Sequence, residues 1–200
     1  MLLNHVLGLL LNPTQEWRVI KENKKSVKAC YTELVLILAL IPPFAGFIGT
    51  TQIGWQIGWS DPIRLTAPSA LLIAVFYYIA ILVAVFLVGK AIHWMASTYG
   101  ASPTLSECVQ LAAFTAVPLL LMGVMQFYPL LWLNFLVGLG ALAYTVYLLY
   151  SGVPIMMGIS QERGFLFSSA VLTFGLVSLV AMLAITVILW SMGASPEFTY

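Results

Sequence analysis

Between Ala67 and Gly89 the chain runs for 23 residues without one charged side chain. As a helix this stretch is about 35 Å long, enough to cross the roughly 30 Å hydrocarbon core of a bilayer. A backbone in hydrocarbon must satisfy its own hydrogen bonds, so a single lipid-crossing segment has to be helical. Four more apolar stretches of similar length occur, giving spans of about 30–50, 67–89, 105–127, 130–150 and 166–190. The chain therefore reads as an all-α polytopic membrane protein with five transmembrane helices plus a short amphipathic N-terminal helix. Only 8% of its residues are charged, against about a quarter in water-soluble domains. Polar surface is too scarce to cover the molecule.

Residues 1–29 read as a cytoplasmic interfacial segment, 30–190 as the transmembrane domain, and 191–200 as a short extracytoplasmic tail. Met1–Leu11 is apolar but too short to span. It lacks the basic start and small-residue cleavage site of a signal peptide. It is expected on or in the cytoplasmic interface, with His5 an interfacial residue without chemistry. Asn12-Pro13-Thr14-Gln15 predicts a helix start, with Asn12 capping, Pro13 in the first turn and Gln15 completing a capping box. Trp17, Val19 and Ile20 then alternate with Arg18, Lys21, Lys24 and Lys25. That pattern predicts an amphipathic helix on an anionic leaflet, with Trp17 at headgroup level and Lys21, Lys24, Lys25 and Lys28 on phosphates. A solvated basic linker is the alternative.

Within the spans, prolines mark interruptions. Pro42-Pro43 must kink or break the first span, and Pro118 lies inside the third. In the fourth, Tyr144, Tyr147 and Tyr150 form a stripe. Ser151-Gly152-Val153-Pro154 then predicts its end, because Gly is permissive and Pro cannot donate to a continuing helix. Small residues at Ala70/Ala74, Ala80/Ala84, Asn134/Gly138/Ala141 and Gly175/Ser178 predict close helix contacts. Trp55 and Trp59 predict an interfacial belt in a far-side loop. Lys90 is expected to end the second span, leaving His93 in a near-side loop. Thr104-Leu105-Ser106-Glu107 predicts a capping box opening the third span.

Two features carry the functional candidates. Glu33 lies about one turn inside the first span, where an ionisable group is a functional candidate by default. It is also close enough to the edge to snorkel toward Lys28 or water. The third span places Glu107, Gln110, Thr115, Pro118, Met122 and Gln126 on one face. Such a face meets protein or water rather than lipid.

Lysine and arginine set the orientation. Arg18, Lys21, Lys24, Lys25, Lys28, Lys90 and Arg163 fall on one side of the spans and only Arg64 on the other. The N-terminus is expected in the cytoplasm. Five crossings then put the C-terminus outside.

Catalytic patterns are missing. The sequence holds no Walker loop, no G-x-S-x-G elbow and no H-E-x-x-H helix. A net charge of +1 gives no case for nucleic-acid binding. The cysteines, Cys30 and Cys108, read as free and buried. Cys30, Glu33, Lys90, His93, Glu107 and Cys108 gather near the cytoplasmic ends of the first three spans without a ligand spacing, so no cofactor or metal is expected. Two readings compete. One is a non-enzymatic protein that packs, scaffolds or shapes the bilayer, alone, as a homo-oligomer or with other membrane proteins. The other is a small transporter or channel working along the polar face of the third span. An enzyme acting on lipid is a distant third.

Asn12-Pro13 before Trp17 and a basic segment, Pro-Pro in the first span, Pro118 in the third and Tyr147-Leu148-Leu149-Tyr150-Ser151-Gly152-Val153-Pro154 at the end of the fourth occur here in order. In this the chain resembles the Yip family, specifically its bacterial inner-membrane branch. The resemblance implies a five-span bundle with a cytoplasmic N-terminus and a role in membrane organisation, scaffolding or trafficking. Eukaryotic relatives are linked to trafficking and to small GTPases of the Rab type. Their long N-terminal region is reduced here to residues 1–29.

Overall fold

A computed structural model of the protein describes residues 2–55, 61–191 and 196–199, with the side chains of residues 2–4 and of 189 outside that description. Trp59, half of the expected tryptophan belt, lies outside the described residues, as do residues 192–195 of the tail. Five helical segments among the described residues are long and apolar enough to cross a membrane: Val27–Ile53, Ala67–Tyr99, Leu105–Phe127, Leu131–Met157 and Gln161–Ile188. Two short helices precede them, α1 (Leu2–Leu11) and α2 (Pro13–Glu22). The lysine-rich end of the bundle is called the near end below, and the opposite one the far end.

The first and third spans are segmented, and proline explains where. In the first, regular helix gives way to a turn at Ala39-Leu40, and Ile41–Ile48 starts afresh with prolines in its first turn. Backbone donors are unsatisfied in a first turn anyway, so the missing N–H groups of Pro42 and Pro43 cost little there. Two π-turns, Tyr31–Val35 and Gly49–Ile53, flank this break. The third span is helical over Leu105–Thr115, turns at Ala116 and restarts at Val117 with Pro118 in the new first turn.

The fourth span departs from expectation. Its helix does not end at Gly152 or Pro154 but runs on to Met157, with Pro154 inside it. The stop is Gly158, which adopts a left-handed backbone and whose N–H reaches the Pro154 carbonyl at 3.0 Å. Proline here deletes one hydrogen bond near the helix end without breaking the rod. The second span is also longer than its apolar run. It continues past Lys90 to Ala96 and ends in a 3-10 turn at Ser97–Tyr99, so His93 sits on a helix rather than in a loop.

Packing is concentrated at the near end. Leu34, Ile92, Leu111, Leu148, Met156 and Phe167 are all buried there, and Tyr99 stacks on Phe167 with ring centroids 4.8 Å apart. Toward the far end the fourth and fifth spans expose their side chains, as Phe135 and Val187 show, consistent with lipid as solvent. Helix contacts rely on glycine at chosen points. A Cβ on Gly89 would lie 2.9 Å from the Val109 backbone, and one on Gly123 would lie 2.8 Å from the Cα of Pro42. Gly175 has nothing within 4 Å of that position, so its expected role as a helix contact is not realised.

At the far end, strand β1 (Arg64–Leu65) pairs antiparallel with β2 (Phe198–Thr199), and a bridge joins Trp55 to Ile63. The loop after the first span is thus tied to the tail. No sequence signal marks strands of two residues.

Candidate functional site

The N-terminal segment is a helical hairpin docked on the bundle. Its apex, Asn12-Pro13, lies beside the middle of the fourth span, where the Tyr144 hydroxyl donates to the carbonyls of Leu9 and Leu10 at 2.9 and 3.1 Å. From there α2 runs alongside the fourth span toward the near end. Trp17 reaches Gly152, where a Cβ would lie 2.6 Å from the indole. Lys21 donates to the Ile155 carbonyl at 2.7 Å. Glycine at 152 is therefore a docking notch rather than a helix stop.

This corrects the expected placement of Trp17. The side chain is fully buried, edge-on to Phe114 of the third span at 6.4 Å, and touches protein instead of headgroups. An indole is amphipathic and suits an interface, but the notch over Gly152 offers closer packing than lipid does. His5 and Glu16 close the hairpin with a side-chain hydrogen bond, and the His5 ring lies edge-on to Phe114 at 5.9 Å. A Cβ on Gly8 would overlap the Glu16 carboxylate, so Gly8 makes room for that pair. The expected capping box at the apex is not formed. Asn12 donates instead to the side chain of Gln15 at 3.1 Å.

The basic residues divide into two groups. Lys21 is held by the fourth span, and Lys25 pairs with Glu33. Arg18, Lys24 and Lys28 remain exposed. Glu33 is thereby placed in an ion pair with Lys25, not with Lys28. His93 is exposed on the extension of the second span.

The polar face of the third span breaks up into separate local tasks. Glu107 accepts from the Thr104 N–H at 2.7 Å while the Thr104 hydroxyl accepts from the Glu107 N–H, as the capping box requires. Gln110 is buried and donates to the Lys25 carbonyl at 2.8 Å, fixing the chain where the hairpin joins the first span. Thr115 is buried against protein. Gln126, at the far end, donates to the Tyr77 hydroxyl at 3.3 Å and lines a cavity there. Among the described residues no three His, Cys, Asp or Glu side chains converge as a metal site would require, and Cys30 and Cys108 are free and buried. Because Gln is as good a capping-box partner as Glu, Glu107→Gln should leave thermal unfolding nearly unchanged. Thr104→Ala should cost about 1 kcal/mol, and a calorimetric comparison of the two in detergent measures the difference.

The Yip1 domain matches residues 7–182, nearly the whole bundle together with most of the docked hairpin. The chain belongs to the Yip family. Two curated proteins of Escherichia coli, strains K12 and O6:H1, both named "Inner membrane protein YohC", are each 43% identical to it over 191 residues, covering 96% of this chain and 98% of theirs. No solved structure matches. Within this Yip-family chain, sequence reasoning missed Gly8 and Glu16, read His5 only as an interfacial residue, and misread Gly152. The available signals were a glycine within the short helix Leu2–Leu11 and a His and a Glu on two short helices joined by Asn-Pro.

Proposed function

We propose that this Yip-family protein is a non-enzymatic organiser of the bacterial inner membrane, with its N-terminal hairpin set as a wedge in the cytoplasmic leaflet. The carrying observation is the docking of α1 and α2 beside the near half of the fourth span, from Tyr144 to Gly158. Two extra helices at one end of a bundle enlarge its cross-section in one leaflet only. Leu7, Leu10 and Leu11 are exposed on α1, an apolar flank suited to acyl chains. Arg18, Lys24 and Lys28 are exposed nearby, a basic rim suited to anionic headgroups. The inner-membrane location is supported by the relatives' names, and a cytoplasmic near end by the seven-to-one distribution of basic residues.

Transport along the third span draws little support from the same geometry, since Glu107 is engaged in a cap and Gln110 and Thr115 are packed against protein. The test is reconstitution into vesicles containing anionic lipid, at matched protein density, of the full chain and of a variant lacking residues 2–24. Smaller, more curved vesicles with the full chain alone are expected, without proton or solute flux. Identical vesicle shapes would refute the wedge. Flux that disappears in Glu107→Gln would establish the transport reading in its place.

A further inference from the structure

The far half of the bundle holds a partly open cavity of about 460 Å³, well within the range of small-ligand sites. Phe47, Ile73, Tyr77 and Trp190 stand in its walls, and Leu65 and Phe198 of the strand pair roof it. A second cavity of about 310 Å³ shares Gly46, Thr50, Trp55 and Gln126 with it. Tyr77 is ten residues into the second span, which begins at Ala67. The larger cavity therefore reaches about 15 Å inward from the far boundary, half the hydrocarbon thickness and so the depth of one leaflet.

Its chemistry excludes most solutes. Two polar groups in the wall are engaged with each other or with backbone: Gln126 donates to Tyr77, and the Thr50 hydroxyl donates to the Gly46 carbonyl at 2.7 Å. The rest of the wall is almost entirely carbon. An ion or sugar would lose its hydration there with nothing in exchange, whereas an alkyl chain loses nothing. Ile73 and Trp190 are also exposed on the outside of the bundle, so the wall is one that neighbouring acyl chains already touch. Arg64 lies between Ile63 and Leu65, both in the cavity wall. Alternation along the strand turns it to the opposite, exposed side. It is the only basic residue at this end, and both of its chain neighbours line the cavity.

We infer that this cavity is a binding site for one acyl chain of a far-leaflet phospholipid, with the lipid phosphate against Arg64. Native mass spectrometry of the full chain in mild detergent, titrated with phosphatidylglycerol, tests it. The wild type should retain a single phospholipid. Ala74→Phe and Ile73→Trp, which fill the cavity, should weaken retention about tenfold or more, since losing room for two methylenes removes that much. Leu139→Trp, on an exposed face of the fourth span, should have no effect. Arg64→Gln should weaken retention with helicity unchanged. No retained phospholipid in the wild type, equal retention in both cavity-filled variants, or a preference for free fatty acid over phospholipid would each overturn the assignment. None of these outcomes bears on vesicle shape, so the wedge and the lipid site fail separately.

Discussion

Replacing Gly152 with leucine is expected to release the N-terminal hairpin from the bundle. A Cβ there would lie 2.6 and 2.8 Å from two atoms of the Trp17 indole and 3.0 Å from Leu111. Trp17 is fully buried and has no room to retreat. Overpacking of this kind costs about 1–3 kcal/mol, a factor of about 5 to 150 in the ratio of docked to undocked hairpin. Docking is also not secured by every polar group, because the Trp17 indole N–H is buried without an acceptor among the described residues. Trypsin cleavage after Arg18 or Lys21, measured in nanodiscs, should accelerate by that factor while the transmembrane fragments stay intact. Combining Gly152→Leu with Trp17→Leu should recover part of the protection, since the two side chains compete for one space. Unchanged cleavage in Gly152→Leu would mean that α2 does not lie in this notch.

The second large effect is expected at the far end. A Cβ on Gly49 would overlap the backbone carbonyl of Gln126 and lie 3.1 Å from that of Phe127. A clash with backbone cannot be relieved by a rotamer change, so the second half of the first span and the end of the third would have to separate. Small residues permit such close approach between helices, and Gly49→Val should cost about 3 kcal/mol. Gly175→Val supplies the control, because nothing lies within 4 Å of that position. Thermal unfolding in detergent should fall by several degrees for the first and hardly move for the second. Equal melting of the two variants would show that the first and third spans do not meet at Gly49.

What could be read from residues alone differs by feature. The spans were legible because length and apolarity are properties of a segment by itself, and hydrocarbon leaves a single backbone solution. The cap at Thr104 and Glu107 was legible because its partners are three residues apart. The Gly152-Val153-Pro154 break was misread because its outcome depends on a residue 135 positions earlier: Trp17 fills the space that the glycine leaves. Glu33 was recognised as paired or snorkelling, but its partner Lys25 follows from the left-handed turn at Lys24, which bends the chain back toward the span. Of the polar face on the third span, its periodicity was visible, and its division into a cap, a buried amide and a cavity wall was not.

The sequence by itself determined the solvent, the number of crossings and the family, since each rests on local composition or on the order of motifs along the chain. Tertiary structure alone decided that Trp17 turns inward, that His5 meets Glu16, and that the far loop and the tail join as a roof over an apolar cavity. Those outcomes rest on shape complementarity between segments distant in the chain. A pairing of that kind is a property of two surfaces, and neither stretch of residues carries it alone.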